Sequence, residues 1–360
     1  MQRISFQKSL NMLGAKIKST EADMLLSITG SPGAQWILAD SEKIIAECNA
    51  GLANISTLHS VEPSTTFNAF SVTKTATAAA ILRLTEQKRI NLNDSVNPMF
   101  DEFHFRYPFS VRELLAHQAG FPDPIPISWI HLATEDAIFD ENEFIATVIE
   151  RHSNQKFKPG ARFSYSSIGY LILGRIIEKV TGEPYADFIR KNIISAAQDD
   201  GRLDYRINNF QNQAIGYHPR FSFSNLFLEF MLDKKKFVGG YFGRWMSFNH
   251  FYVNGKAYGG LIGNARGLMN YLQTYLSNNM FLDEEMQELM FTEQKGGMAL
   301  GWFTGSLKGT KYVCHAGGGG GYYCEIRIYP ALRIASVLLR NRSSFGDLRL
   351  LDKIDGRTIF

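Results

Sequence analysis

Ser71 and Lys74 stand three residues apart in Phe70-Ser71-Val72-Thr73-Lys74. The run that follows, from Thr75 to Leu84, is rich in alanine and contains no Gly or Pro. Such residues lose little entropy in a helix, so a helix is expected here. A helix puts positions three apart on one face, which brings a hydroxyl beside an amine. That pair is the minimum for a Ser-Lys nucleophile. If it is buried, desolvation disfavours the ammonium and lets the lysine act as a base near neutral pH. A serine at the helix start also meets backbone N–H groups and the positive dipole end, which suit a forming oxyanion. The plainer alternative is a helix cap beside a solvated lysine.

Two further stretches offer partners. Tyr165 precedes Ser166-Ser167 between a Pro-Gly turn and a helical pattern, where functional side chains are often presented. A phenol near Ser71 and Lys74 can relay a proton between nucleophile and leaving group; the alternative is a half-buried tyrosine bonded to water. His315-Ala316-Gly317-Gly318-Gly319-Gly320-Gly321 lies between two strand runs. Its glycines allow close backbone approach, and an N–H after the histidine can complete an oxyanion hole. A phosphate loop is excluded, because no Lys-Ser/Thr ending or following helix is present. A flexible hairpin loop remains the alternative.

The elements around these residues can be read in outline. A loose helical period covers residues near 1–22, and Met24–Thr29 and Gln35–Ala39 read as strands separated by a Gly30-Ser31-Pro32-Gly33 break. Ser110 followed by Glu113 is a capping-box pattern. Helices are expected near 141–152, over Ile168–Val180 with a stop at Thr181-Gly182, over Tyr185–Ile194, over Ala265–Leu276 and around Asp283–Phe291. Strands are expected at Met298–Phe303, Lys311–His315, Tyr322–Tyr329 and Arg333–Leu339, with connections short enough for an antiparallel sheet. Strands at both chain ends and helices between them divide the chain. Residues 1–70 and 256–360 form an α/β domain whose sheet is built from both ends, and residues 71–255 form a mostly helical domain. The aromatic-rich stretch 205–256, including Phe221, Phe223, Phe227, Phe230, Phe237, Tyr241, Phe248 and Phe251, is either packing core or a pocket wall or subunit contact.

Composition narrows the function. The chain has 360 residues, 45% hydrophobic residues and a net charge of +3, without a long basic run, which gives no case for nucleic acid. Lys234-Lys235-Lys236 reads as a solvated turn. No apolar run approaches the ~20 residues of a membrane span. The first residues lack the apolar core of a secretory signal, so the expectation is a cytoplasmic chain, or a periplasmic or secreted one whose leader has been removed. Cys48, Cys314 and Cys324 make no disulfide framework; they read as small buried hydrophobes, with Cys314 facing Cys324 across a hairpin as the alternative. No metal-ligand spacing occurs.

Ser71-x-x-Lys74, Tyr165-x-Ser167 and His315-x-Gly317, in this order and spacing, resemble the three active-site motifs of serine β-lactamase-type hydrolases: class C β-lactamases, D-alanyl-D-alanine carboxypeptidases (penicillin-binding proteins) and related esterases. Leu114-Leu115-Ala116-His117-Gln118-Ala119-Gly120, Pro159-Gly160-Ala161-Arg162-Phe163-Ser164-Tyr165-Ser166 and Gly259-Gly260-Leu261 fit the same family, over roughly residues 20–340. The resemblance implies an α+β fold of the β-lactamase/transpeptidase-like type, an antiparallel sheet flanked by helices with an inserted mostly helical region. It implies acyl transfer to Ser71 with Lys74 and Tyr165 sharing acid and base work. It further implies an oxyanion hole from the N–H groups of Ser71 and Gly318, and Ser167, His315, Gly317 and Gly318 at the substrate, a small molecule or peptide. No cofactor is implied. Two departures stand out. Ser167 replaces the family's usual Asn, and a hydroxyl has fewer bonding groups than a carboxamide. His315 stands where classical members carry Lys, and a histidine charged only in part near neutrality would hold a substrate carboxylate less firmly.

Overall fold

Strands β1 (Gly33–Asp40), β2 (Ile44–Asn54) and β3 (His59–Ser60) come from one end of the chain. Strands β4 (Phe303–Leu307), β5 (Thr310–Gly319), β6 (Tyr322–Tyr329) and β7 (Ile334–Arg340) come from the other. They pair in the order β4-β5-β6-β7-β1-β2-β3, antiparallel at every step. The computed structural model describes residues 19–124, 128–197, 201–222, 232–277, 282–343 and 349–360. The expected α+β architecture, an antiparallel sheet flanked by helices, is what is found.

The central strands read as unbroken apolar runs because both faces of the sheet are covered. Along β1, Trp36 and Leu38 face one core and Ile37 and Ala39 the other, as the two-residue period of a strand requires. The first core holds helix α1 (Ser19–Thr29) through Leu25 and the C-terminal helix Leu351–Thr358 through Leu351 and Ile354. A buried ion cluster fastens that terminal helix: Arg327 pairs with Glu325 at 2.7 Å and Asp352 at 2.8 Å, while Asp355 accepts from Tyr329 and Ser336. The second and larger core holds helices α2 (Thr73–Glu86), α3 (Ser167–Thr181) and α4 (Ala265–Gln273). This is the side that carries the motifs.

Several local readings hold. Ser110 and Glu113 form the reciprocal capping box, and α3 ends at Gly182 with φ +74°. Others need correction. Met24–Thr29 is helix, not strand. Its apolar run is too short for period alone to decide, and Thr29 Oγ bonding to the Leu25 carbonyl and Gly30 N–H to that of Leu26 close a helical last turn. Met298–Phe303 is an irregular approach to β4, which begins at Phe303. The glycine run is not a loose loop: His315 to Gly319 continue β5, and only Gly320 and Gly321 turn, both at positive φ as a two-residue hairpin demands. Cys314 lies opposite Arg327 and Cys324 opposite Gly317, so the two thiols do not face each other. The expected helix over residues 1–22 falls largely outside the described residues, as do Phe223, Phe227 and Phe230. Within the rest of the aromatic stretch, Phe237, Phe248 and Phe251 are core, whereas Phe221 and Tyr241 are exposed. No helix among the described residues is long and apolar enough to cross a membrane.

Candidate active site

Ser71 sits in the short turn Phe70–Val72 that leads directly into α2. The turn is held in an unusual shape. Phe70 has φ +48°, a conformation costly for a bulky residue. Thr73 maintains it, donating from Oγ1 to the Phe70 carbonyl at 2.6 Å and accepting from Leu261 N–H at 3.0 Å. The Phe70 ring packs near Phe251 and Tyr322, at 6.2 and 6.4 Å between centroids. The far side of the turn is β5. A Cβ on Gly317 would lie 2.3 Å from the Ala69 carbonyl oxygen and 2.5 Å from the Ser71 nitrogen, so only glycine lets the strand reach the nucleophile.

Lys74 is fully buried on the first turn of α2. Its Nζ donates to Ser71 Oγ at 3.2 Å and to the Tyr258 carbonyl at 2.9 Å. The rings of Tyr165, Tyr258 and Tyr170 stand 5.0 to 5.5 Å from the nitrogen. Burial pushes the ammonium down to about 7, against the opposing pull of the Asp123 carboxylate. The solvated-lysine alternative is therefore excluded.

Tyr165 arrives from the segment before α3, and its ring faces the Lys74 amine that is bonded to Ser71. Burial raises its pKa well above the usual tyrosine value, so it is a neutral phenol at physiological pH. His117 clamps this segment from both sides. Its carbonyl accepts from Ser164 N–H at 2.8 Å, its Nδ1 accepts from Ser166 N–H at 3.0 Å, and its ring lies 4.3 Å from that of Tyr165. His117 adopts φ +53° to do so. Burial, aided by the Lys74 charge, keeps it neutral. His117→Ala is expected to lower kcat on a reactive ester by about 10²-fold with a smaller change in KM, because Tyr165 loses its stack and one anchor. Steady-state kinetics beside a melting curve separates this from unfolding.

His315 and Ser167 are both buried. His315 Nδ1–H donates to the Ala316 carbonyl at 2.9 Å, which leaves Nε2 unprotonated and without a partner among the described residues. Burial, then the Lys74 charge, push it down to about 3. The partial charge expected from its ordinary value is not realised, because the ring is sealed between Tyr165 and Phe303 at 6.4 and 5.4 Å. Ser167 donates its N–H to Asp123 Oδ1 at 2.8 Å. Gly318, unlike Gly317, is exposed, and a Cβ there would make only ordinary contacts, 3.4 Å from the Tyr322 carbonyl oxygen and 3.6 Å from the Tyr323 ring.

The structure thus brings Ser71, Lys74, Tyr165 and Gly317 together and sets Ser167 and His315 around them. It adds His117, Tyr258 and Asp123. His117 and Tyr258 lie inside or beside stretches that fit the family pattern, although spacing assigns them no task. Asp123 follows Pro122 in a proline-rich loop, and nothing local points it toward the lysine.

The family model described as Beta-lactamase matches residues 22–355. Protein flp of Staphylococcus aureus (strain MW2) is 28% identical over 195 residues, 52% of this chain and 38% of that protein. The chain thus spans well under half the length of the curated relatives it matches. The octameric penicillin-binding protein homologue from Pyrococcus abyssi superposes with a TM-score of 0.74 at 25% identity, covering 94% of this chain and 76% of that one. The D-amino acid amidase from Ochrobactrum anthropi SV3 superposes with a TM-score of 0.76 at 19% identity, covering 94% and 98%.

Proposed function

The chain belongs to the Beta-lactamase family, and from that premise we propose that it is a serine hydrolase that works through an acyl-enzyme on Ser71. The observation that carries this reading is a fully buried Lys74 amine 3.2 Å from the Ser71 hydroxyl. In the neutral form that burial favours, Lys74 takes the proton as Ser71 Oγ attacks the substrate carbonyl. The N–H groups of Ser71 and Gly318 receive the oxyanion. The Tyr165 phenol gives its proton to the leaving group and is reprotonated by Lys74, whose Nζ stands 5.0 Å from its ring. Water then attacks the acyl-enzyme by the same path in reverse. Tyr165 is not the resting base, since burial keeps it a phenol.

Two substrate classes compete. One is amide hydrolysis of the β-lactamase or D-alanyl-D-alanine carboxypeptidase type. The other is hydrolysis of small acyl esters. The neutral, sealed His315 and the short Ser167 hydroxyl favour the ester reading, because neither offers the charge or the carboxamide that holds a peptide carboxylate and amide. A non-catalytic binding role is disfavoured by the assembled Ser71, Lys74 and Tyr165. A panel of p-nitrophenyl acetate, p-nitrophenyl butyrate, nitrocefin and a D-Ala-D-Ala peptide, each with wild type and Ser71→Ala, tests these alternatives. Ester turnover that vanishes in Ser71→Ala is expected. Turnover of the peptide alone would reverse the preference, and turnover that survives Ser71→Ala would remove the mechanism.

A further inference from the structure

We infer that Thr77 is a positioning residue for the base of this site, because its hydroxyl pins the backbone that offers Lys74 the Tyr258 carbonyl. The inference rests on the acyl-enzyme reading of the same site. Thr77 lies three residues beyond Lys74 on α2 and is fully buried. Its Oγ1 stands 2.6 Å from the Ala257 carbonyl oxygen and 2.7 Å from the Tyr185 hydroxyl, which stands 3.1 Å from the Tyr205 hydroxyl. The Thr73 carbonyl of its own helix is farther, at 3.4 Å. A carbonyl only accepts, so the Thr77 proton goes to Ala257. Tyr185 must then donate to Thr77, and Tyr205 to Tyr185. Three buried hydroxyls thus run in one direction and end on one carbonyl, an order in which each bond strengthens the next.

That carbonyl matters because of its neighbour. Ala257 and Tyr258 are adjacent in the short helical turn Lys256–Gly259, and the Tyr258 carbonyl accepts from Lys74 Nζ at 2.9 Å. Helix α2 grips this segment twice, through Thr77 at Ala257 and through Thr73, whose Oγ1 accepts from Leu261 N–H at 3.0 Å. Lys74 bonds to the stretch held between these grips. The pinned Tyr258 carbonyl serves the chemistry in two ways. It fixes the amine against Ser71 Oγ, and it favours the ammonium that forms when Lys74 takes the serine proton. A loosened Ala257–Tyr258 peptide loses both. The other groups acting on Lys74 are the Asp123 carboxylate, the rings of Tyr165, Tyr170 and Tyr258, and the neutral His117 and His315. A substitution at Thr77 removes none of them, so a change in the protonation of the amine would come through the carbonyl.

The test is the pH profile of kcat/KM for p-nitrophenyl acetate, with wild type, Thr77→Val, Thr77→Ser and Ser71→Ala, each beside a melting curve. Valine keeps the shape of threonine and removes the bond to Ala257, whereas serine keeps that bond. Thr77→Val is expected to lower the plateau about tenfold and to move the midpoint about half a pH unit down, because the ammonium has lost an acceptor. Thr77→Ser is expected to stay within a few-fold of wild type with its midpoint unmoved. Should Thr77→Val fail to fold, the double variant Thr77→Val/Tyr185→Phe takes its place with the same expectation, since it leaves no Tyr185 hydroxyl facing the valine. A folded variant without the Thr77 hydroxyl whose midpoint stays or rises, whatever its plateau, would overturn the inference and leave Thr77 a packing role. Ester turnover that persists in Ser71→Ala would instead overturn the acyl-enzyme reading, whatever the profile.

Discussion

Lys74→Met will lower kcat/KM for any acyl substrate of this protein by about 10³-fold or more, without unfolding the chain. The two halves of this expectation have one cause. The amine is fully buried, with one carbonyl and one hydroxyl as hydrogen-bond partners and aromatic rings around it. Methionine fills the stem's volume without asking the protein to bury a charge. It cannot accept a proton, so Ser71 loses its base. The same burial sets the pH dependence. With Lys74 pushed down to about 7, wild-type kcat/KM should climb with pH and level off above that value. Stability carries the opposite mark of the same shift. An unfolded lysine keeps its proton up to about 10.5, so between 7 and 10.5 the unfolded chain binds more protons and the wild type gains stability as pH rises. Lys74→Met should therefore raise the melting temperature most at pH 7 and below, with the gain fading toward pH 10. A variant that is inactive and also less stable at pH 7 would contradict this account.

The second large effect is expected from a single methyl group. Gly317→Ala places a Cβ 2.3 Å from the Ala69 carbonyl and 2.5 Å from the Ser71 nitrogen, both backbone atoms that cannot swing aside. Either β5 retreats or the strained Phe70–Ser71 turn gives way. Both move Ser71 relative to the oxyanion donors, and displacements of about 1 Å cost about 10²-fold in rate. Gly318→Ala is the matched control. Its Cβ meets nothing closer than the Tyr322 carbonyl at 3.4 Å, and the residue keeps its N–H. Activity within a few-fold of wild type is expected for Gly318→Ala and a loss of about 10²-fold for Gly317→Ala. Equal losses would mean that close approach at residue 317 does not position the nucleophile.

These two cases show what the sequence makes legible. Ser71 and Lys74 are three apart on a helix, so their meeting is a local property that spacing alone can read. The Ser110 capping box and the Gly182 stop are local in the same sense. Met24–Thr29 reads as readily as strand because a short apolar run fits either period, and what selects helix is the sheet face that Leu25 covers. His315 illustrates a different limit. Its identity is visible, but its charge state is not, because the rings that seal it come from residues 165 and 303. His117 and Asp123 act on Tyr165 and Lys74 from more than forty residues away in the chain. Only the packed structure shows that the tyrosine's two flanking N–H groups end on one histidine.

The most direct measurement is mass spectrometry of the protein after incubation with a fluorophosphonate, followed by peptide mapping. One adduct, on Ser71, is expected in the wild type, with much slower labelling in Lys74→Met and none in Ser71→Ala. An adduct on another residue that persists in Ser71→Ala, or no adduct in an active wild-type preparation, would contradict the assignment of Ser71 as the nucleophile.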